Sequence, residues 1–263
     1  MTDTPSLPLL DGNRIQTAGL GTYSLRGEAG AEAVAAAIRA GYRLLDSAQG
    51  YENEDAVGEG MRRSGVDRAE LMLTTKLPND DHGYDETLAS FDRSVAALQH
   101  DVVDLYLIHW PLPEQHRYVD SWRAMIRLRD EGRIRSIGVS NFSTEQVDRL
   151  ERETGELPAV NQVELRIGLD QAELRAHHAA AGIVVESYSP LKHGSELAKD
   201  PVVTRVAEAH GVQWNQVLLR WNLQLGTVVI PRSKDAARQA ANLDLFGFEL
   251  DDDEMAAISA LRH

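Results

Sequence analysis

The chain has 263 residues, 43% of them hydrophobic, and a formal net charge of −14. This composition provides for a full core, and the negative charge argues against a general nucleic-acid partner. The absence of cysteine excludes disulfides and thiolate metal sites and makes a disulfide-stapled secreted domain an unfavourable interpretation.

The N-terminal segment MTDTPSLPLL has neither a basic region nor a long apolar region, so we expect no signal peptide. No run approaches the roughly 20 apolar residues that a membrane helix needs, so we expect no membrane partner and a cytoplasmic location. The order Leu9-Leu10, Asp11-Gly12-Asn13 and Ile15 then predicts a small β-hairpin.

Strand-like and helix-like segments alternate along the rest of the chain. The predicted strands are Ala18–Thr22, Arg43–Ser47, Leu71–Thr75, Val103–Ile108, Ile134–Val139, Val160–Leu165, Ile183–Ser187 and Thr227–Ile230. One of the helices between them begins with the capping box Ser143-x-x-Gln146. Eight strand–helix units in roughly 250 residues predict a (β/α)8 TIM barrel, with the N-terminal hairpin and extra C-terminal helices, in a single domain over residues 1–263.

An open, doubly wound sheet is the competing fold. Such a sheet commonly binds a dinucleotide through the motif Gly-x-Gly-x-x-Gly. Here Gly19-Leu20-Gly21 is followed by Ser24 at the third glycine position, so the motif is incomplete and the barrel is favoured.

Ionisable residues end three successive predicted strands. Asp46 ends one strand and is followed five residues later by Tyr51, while Lys76 and His109 end the next two. Barrel enzymes carry their sites at the C-terminal ends of the strands, so these side chains predict one catalytic centre. A nearby ammonium favours the phenolate of a tyrosine, whose pKa is ordinarily about 10. A carboxylate would hold the lysine, and a histidine could orient a carbonyl oxygen.

Together, these groups could protonate a carbonyl oxygen while hydride reaches its carbon. No side chain supplies hydride, so this chemistry requires a nicotinamide cofactor. Each residue also has a plainer interpretation. Asp46 and Lys76 could form only a structural ion pair, Tyr51 could be a surface residue, and His109 a core histidine. The occurrence of all four residues at or just after successive strand ends favours a barrel enzyme.

The motifs of the chain resemble those of the aldo-keto reductases from Gly19 to Leu250. The matching segments are GLGTY (19–23), LDSAQGYENEDAVGEG (45–60), TTKL (74–77), DLYLIHWP (104–111), IGVSNF (137–142), NQVEL (161–165), SYSPL (187–191) and VVIPRS (228–233). Within the family, the chain resembles most closely the prokaryotic 2,5-diketo-D-gluconic acid reductases. The resemblance implies NADPH-dependent reduction of aldehydes and ketones to alcohols, with α-dicarbonyl, keto-sugar or aromatic carbonyl compounds as substrates.

The resemblance also assigns roles to the four ionisable residues. It implies that Tyr51 is the general acid and that Lys76 depresses its pKa. Asp46 is expected to pair with Lys76, and His109 to position the substrate carbonyl. The expected substrate contacts are Tyr23, Tyr51, His109 and Trp110.

The cofactor contacts are likewise implied by the resemblance, with NADPH as the expected cofactor and NADH as a weaker one. Tyr188 would stack on the nicotinamide ring, and the loop over residues 191–196 would cover the pyrophosphate. Arg232, Lys234 and Arg238 would hold the 2′-phosphate through charge-assisted hydrogen bonds. Ser140, Asn141 and Gln162 are the residues expected to hold the carboxamide. The remaining expected contacts are Gly21, Thr22, Tyr23, Ser189, Leu191, Lys192, Gly194, Ser233 and Asn242.

The chain departs from the family pattern around the substrate. Pro78 stands where many relatives have a tryptophan, and the chain ends at His263, where most relatives continue into a loop that closes over the substrate. We therefore expect an open pocket, with Pro78, His82 and Tyr84 as further candidates for its lining.

Two other functions stay open. The chain could be a cofactor-binding regulatory module without efficient turnover, or a barrel enzyme of another reaction type. The adjacent histidines His177-His178 face different directions on a helix and lack a companion ligand spacing, so we expect no metal. We expect a monomer acting on a small-molecule carbonyl substrate.

Overall fold

A computed structural model describes residues 4–262. An antiparallel hairpin precedes the barrel and pairs strand β1 (Ser6–Pro8) with strand β2 (Arg14–Gln16). The predicted hairpin is confirmed, but its first strand ends earlier than predicted. Leu9 and Leu10 follow that strand and belong to the turn.

Eight parallel strands form the barrel, and each pairs with the next one along the chain. They are β3 (Leu20–Gly21), β4 (Leu44–Asp46), β5 (Met72–Leu77), β6 (Val103–Ile108), β7 (Ile134–Ser140), β8 (Val160–Glu164), β9 (Val184–Tyr188) and β10 (Val228–Val229). The ends of the sheet also meet, since Ala18 bridges Val229 and Gly21 bridges Arg232 in parallel. All eight predicted strands are confirmed, although β3, β4, β8 and β10 are shorter than predicted.

Helices surround the strands and follow the last of them. They are α1 (Gly27–Arg39), α2 (Glu54–Ser64), α3 (Tyr84–Leu98), α4 (Tyr118–Asp130), α5 (Thr144–Thr154), α6 (Ala172–Ala181), α7 (Gly194–Leu197), α8 (Pro201–His210), α9 (Trp214–Gln224), α10 (Ala236–Leu243) and α11 (Asp252–Ser259). The capping box at Ser143 is present, because the hydroxyl of Ser143 accepts from the amide of Gln146 at 3.3 Å. Within residues 4–262, no helix combines the length and apolar character needed to cross a membrane.

The alternation of side chains along the strands decides what lies inside the barrel. Leu44 and Val160 belong to a buried cluster in the interior, whereas Leu45 belongs to the cluster formed with the surrounding helices. Side chains repeat every two residues along a strand. Asp46 and Gln162 therefore face the same interior as Leu44 and Val160, one layer nearer the C-terminal ends of the strands. The barrel thus has an apolar interior layer beneath a polar one.

Gly58 in helix α2 marks a close approach between backbones. A Cβ atom at this position would lie 2.0 Å from the carbonyl oxygen of Leu98, at the end of helix α3. Replacing glycine by alanine inside a helix normally stabilises by roughly 0.5–1 kcal/mol. Here overpacking should cost about 1–3 kcal/mol and outweigh that gain. We expect urea denaturation of Gly58→Ala to give a lower free energy of unfolding.

The matched control is Gly247→Ala. Gly247 is exposed, and a Cβ atom there would meet nothing within 4 Å. This variant should stay within about 0.5 kcal/mol of the wild type. Equal stability of Gly58→Ala and the wild type would contradict the close approach of the two helices.

Candidate active site

A cleft of about 570 Å³ opens at the C-terminal ends of the strands. Its volume lies in the range of roughly 300–1,000 Å³ that is usual for ligand pockets. The lining consists of Gly21, Tyr23, Asp46, Tyr51, His109, Trp110, Ser140, Asn141, Gln162, Tyr188, Ser189, Pro190, Leu191, Lys192, Ile230, Pro231 and Arg232. Most of the predicted site residues therefore share one cavity, because parallel strands bring their carboxyl ends to the same end of a barrel.

The Lys76 ammonium links the groups at the floor of this cleft. Lys76 is fully buried, and its Nζ atom donates to Asp46 Oδ1 at 2.7 Å and to the carbonyl oxygen of Ser47 at 2.7 Å. Nζ also lies 3.4 Å from Tyr51 Oη. Burial acts to lower the pKa of Lys76, but the Asp46 carboxylate and the Tyr51 oxygen outweigh it, and this pKa is raised. The lysine is thus a cation throughout the physiological pH range.

Tyr51 ends a short 3₁₀ turn, Gln49–Tyr51, just after strand β4. Burial raises the pKa of Tyr51, and this effect is larger than that of the Lys76 ammonium, which lowers it. The pKa of Tyr51 in the free protein is therefore raised overall. Lys76 acts in the predicted direction, but loss of hydration penalises the phenolate more. Tyr51 carries its proton at neutral pH and is available as a proton donor.

His109 directly follows strand β6, and its ring lies 5.7 Å from the Tyr51 ring, centroid to centroid. Burial lowers the pKa of His109 to about 3, and the Lys76 ammonium adds to this effect. The imidazole is therefore neutral at pH 7. A neutral imidazole can donate one hydrogen bond to a ligand oxygen without bringing a second cation into the site.

Asn141 joins the ends of neighbouring strands. Its φ angle of 63° is a left-handed conformation that few residues other than glycine adopt. The side chain donates from Nδ2 to the carbonyl oxygen of His109 at 3.1 Å and accepts at Oδ1 from Tyr188 Oη at 2.9 Å. The Ser140 hydroxyl donates to the carbonyl oxygen of Gln162 at 2.9 Å. These bonds hold the Tyr188 ring and the end of strand β6 in a defined relation.

Glu186 is a site residue that the sequence analysis missed. This glutamate lies on strand β9 and is fully buried. Gln162 Nε2 donates both to Asp46 Oδ1 at 2.8 Å and to Glu186 Oε2 at 2.7 Å. Burial, reinforced by the Asp46 carboxylate, raises the pKa of Glu186 to about 8. A charged residue within the apolar strand sequence IVVESY was the signal that could have identified it.

The predicted phosphate-binding cations lie beside the cleft. Arg232 lines it, and its guanidinium donates to Ser24 Oγ at 2.6 Å. Lys234 and Arg238 are exposed and flank the start of helix α10. The Asp235 side chain caps this helix by accepting from the backbone amide of Arg238 at 2.9 Å. The three cations are therefore on one side of the barrel mouth, next to strand β10.

Some predicted cofactor residues lie outside the lining of the cleft. The Asn242 side chain is buried, and its Oδ1 accepts from Asn215 Nδ2 at 2.8 Å. The Thr22 hydroxyl is also buried and donates to the carbonyl oxygen of Asp46 at 2.9 Å. Both side chains are thus engaged within the protein rather than directed into the cleft. The other predicted cofactor contacts outside the lining are Gly194, Ser233, Lys234 and Arg238, and the predicted catalytic residue Lys76 lies beneath it.

The mouth of the cleft is aromatic. The Tyr23 and Trp110 side chains line it and are 58% and 43% exposed. Pro78, His82 and Tyr84 are not among the residues that line this cleft. His82 is buried, and Tyr84 is the first residue of helix α3.

The loop after strand β9 is tied to its neighbour. Lys192 Nζ donates to Glu164 Oε1 at 2.8 Å, at the end of strand β8. Gly194 begins helix α7, where a Cβ atom would lie 2.5 Å from the Trp214 ring. Lys192 therefore lies at the rim of the cleft, while Gly194 serves the packing of the loop on helix α9.

The chain is a (β/α)8 barrel protein whose cleft gathers Asp46, Tyr51 and His109 at the C-terminal ends of the strands. More narrowly, it belongs to the aldo/keto reductase family, whose sequence model matches residues 17–263. The predicted family is confirmed. The chain is similar to an aldo-keto reductase of Mycolicibacterium smegmatis, with 52% identity over 98% of this chain and 94% of that protein. It is also similar to 2,5-diketo-D-gluconic acid reductase B of a Corynebacterium strain, with 49% identity over 99% of this chain and 94% of that protein.

Solved structures share the fold. The crystal structure of a Gox0644 variant in complex with NADPH matches this chain with a TM-score of 0.94 and 42% identity. The match covers 99% of this chain and 94% of the other. A barrel of this architecture is therefore the fold of the whole described chain.

The low pKa of His109 has a direct spectroscopic consequence. We expect its imidazole resonances to show no titration between about pH 5 and 8 in NMR spectra, with the assignment made by their loss in His109→Asn. Unfolding restores the ordinary pKa of 6.5, so below that pH the unfolded chain binds a proton that the folded chain does not until about pH 3. Acidification through this window therefore removes stability. A titration midpoint near pH 6.5 in the folded protein would refute the neutral imidazole.

Proposed function

We propose that the chain is an NADPH-dependent reductase that converts aldehydes and ketones to alcohols, with Tyr51 as the general acid. The observation that carries the proposal is the buried Lys76 ammonium, which lies 2.7 Å from the Asp46 carboxylate and 3.4 Å from Tyr51 Oη. A phenol in this position can give its proton to a developing alkoxide, because the ammonium stabilises the phenolate that remains.

The groups around the cleft suit a nicotinamide. Tyr188 offers a flat ring, held in place by its bond to Asn141, on which another flat ring can stack. Gln162 directs its amide hydrogens at Asp46 and Glu186. Its Oε1 atom is left as the acceptor for a carboxamide NH₂ group. The Tyr188 ring and the Gln162 acceptor oxygen therefore fit the nicotinamide end of the cofactor.

The cations beside strand β10 suit a phosphate monoester. Arg232, Lys234 and Arg238 stand together in a chain whose formal net charge is −14. Arginine can bind a phosphate through two parallel charge-assisted hydrogen bonds. The related Gox0644 variant holds NADPH. We therefore favour NADPH, with NADH as a weaker cofactor.

The reaction divides between the cofactor and the side chains. When bound, NADPH supplies the hydride that no side chain can provide. Tyr51 gives its proton to the carbonyl oxygen, and Lys76 stabilises the resulting phenolate. The neutral His109 donates a second hydrogen bond to the same oxygen and orients it. Asp46 keeps Lys76 charged and in place.

The mouth of the cleft indicates the substrate class. The exposed rings of Tyr23 and Trp110 offer apolar walls for an aromatic carbonyl compound. The relative named 2,5-diketo-D-gluconic acid reductase B supports α-dicarbonyl and keto-sugar compounds as the alternatives. We also propose that the protein acts as a monomer on a small molecule in the cytoplasm.

Tyr51→Phe tests the general acid. The change removes the proton donor and retains the ring, so kcat/KM for carbonyl reduction should fall by roughly 100- to 10,000-fold. Binding of NADPH, followed by quenching of protein fluorescence, should stay near normal. The assay is NADPH oxidation with a panel of small aldehydes, α-diketones, keto-acids and aryl ketones, with NADH alongside.

The matched control is Tyr84→Phe, a tyrosine outside the lining of the cleft, which should keep full activity. Equal turnover by Tyr51→Phe and the wild type would remove Tyr51 from the mechanism. Tight NADPH binding by the wild type with no turnover of any carbonyl would instead favour the regulatory module.

Arg238→Ala tests whether Arg238 binds the 2′-phosphate of NADPH. Loss of a charge-assisted hydrogen bond costs about 1.5–3 kcal/mol, which weakens NADPH binding roughly 10- to 100-fold. NADH lacks the phosphate, so its Kd should change little. Arg205→Ala, an exposed arginine on helix α8, is the control and should affect neither cofactor. An equal loss for both cofactors in Arg238→Ala would show that Arg238 does not read the phosphate.

A further inference from the structure

Glu186 lies inside the barrel beside the proposed catalytic residues, and the mechanism above does not use it. Its Oε2 atom accepts from Gln162 Nε2 at 2.7 Å, and the same nitrogen donates to Asp46 Oδ1 at 2.8 Å. Gln162 on strand β8 is paired in register with Glu186 on strand β9. The second oxygen, Oε1, is buried without a hydrogen-bond partner. An ionised carboxylate would leave a charged oxygen unsatisfied there, which is costly, whereas a neutral carboxyl is far less so.

The groups around Glu186 decide its charge. Strand β8 contributes the neutral Gln162 amide, and strand β10 contributes Val228 directly opposite. Asp46 and Lys76 reach it electrostatically across the interior from strands β4 and β5, with Tyr51 beyond them. Two carboxyls thus share one ammonium, and that ammonium is bonded to Asp46. The geometry favours an ionised Asp46 and a neutral Glu186.

We propose that Glu186 is a positioning residue of the reaction proposed above. Through Gln162 it holds the Asp46 carboxylate against Lys76, and the charge on Glu186 governs how readily Tyr51 releases its proton. The expected effect of Glu186 on turnover rests on the function proposed above. The coupling between Glu186 and Tyr51 is a property of the free protein.

The direction of the effect follows from the charges. While Glu186 is neutral, the charges of Asp46 and Lys76 oppose each other, and a Tyr51 phenolate meets little net repulsion. Ionisation of Glu186 adds a negative charge near that phenolate and raises the pKa of Tyr51. Glu186 ionises as the pH rises through about 8, so Tyr51 becomes a weaker acid over that range. Carbonyl reduction should slow accordingly.

Glu186→Gln is the test variant, because glutamine retains the acceptor for Gln162 and cannot ionise. The first measurement uses protein without cofactor, labelled with ¹³C at the tyrosine Cζ atoms, and the Tyr51 resonance is assigned by its loss in Tyr51→Phe. In the wild type, this resonance should shift with an inflection near pH 8, where Glu186 titrates. The inflection should be absent in Glu186→Gln.

The second measurement is the pH profile of kcat/KM for carbonyl reduction. The wild-type value should fall roughly two- to tenfold as the pH rises through the titration of Glu186, and Glu186→Gln should not show this fall. A loss of packing alone would lower activity at every pH without removing the inflection. The profile therefore separates the positioning role from a structural one.

Glu54→Gln is the matched control. Glu54 is also a buried glutamate, and it accepts from Thr75 Oγ1 at 2.6 Å. Burial raises the pKa of Glu54 as well, but this residue is not bonded to the Asp46–Lys76 pair. Its replacement should leave both pH profiles unchanged. If Glu186→Gln fails to fold, Glu186→Met fills a similar volume without an ionisable group and should give the same two results.

Persistence of either inflection in the Glu186 variants would overturn the proposal, as would a wild-type Tyr51 resonance without an inflection between about pH 7 and 9. If the resonance behaves as expected but no carbonyl is turned over, the proposed function fails while the coupling of Glu186 to Tyr51 stands. The two proposals can therefore fail separately.

Discussion

The buried ion pair between Lys76 and Asp46 is the interaction on which the site depends. Two charges removed from water carry a desolvation penalty of several kcal/mol each, which their mutual attraction offsets only with good geometry and further hydrogen bonds. Both conditions hold here, since Nζ lies 2.7 Å from the carboxylate and also donates to the carbonyl oxygen of Ser47. Gln162 supplies a second donor to Asp46 at 2.8 Å. Removal of either charged side chain would leave the other charge buried and unpaired inside the barrel.

Desolvation sets the protonation of every group around this pair. Burial raises the pKa of Tyr51, lowers that of His109 to about 3 and raises that of Glu186 to about 8. Each shift favours the neutral form, because the charged form loses its hydration. The floor of the cleft therefore contains one compensated ion pair among neutral groups. In this setting a single added charge acts strongly, since it is screened by little water.

The barrel supplies both the burial and the alignment. Side chains alternate along each strand, so the interior layer of Leu44 and Val160 is followed by the polar layer of Asp46 and Gln162. Left-handed backbone at Asn141 and Ser189, with φ angles of 63° and 54°, borders the same cleft. Such conformations persist where surrounding structure enforces them, and they concentrate at functional sites. Here the hydrogen bonds of Asn141 provide part of that support.

The sequence by itself determined the eight strands, the capping box at Ser143 and the positions of Asp46, Lys76 and His109 at the strand ends, with Tyr51 in the turn that follows Asp46. These features depend on short-range periodicity and on residues near one another in the chain. The bridge from Gln162 to Asp46 and Glu186, the pairing of Asn242 with Asn215 and the direction of the Tyr51 pKa shift were decided only by the tertiary structure. Each of these depends on contacts across the barrel or on loss of hydration, which arise only once distant strands have closed around the same interior.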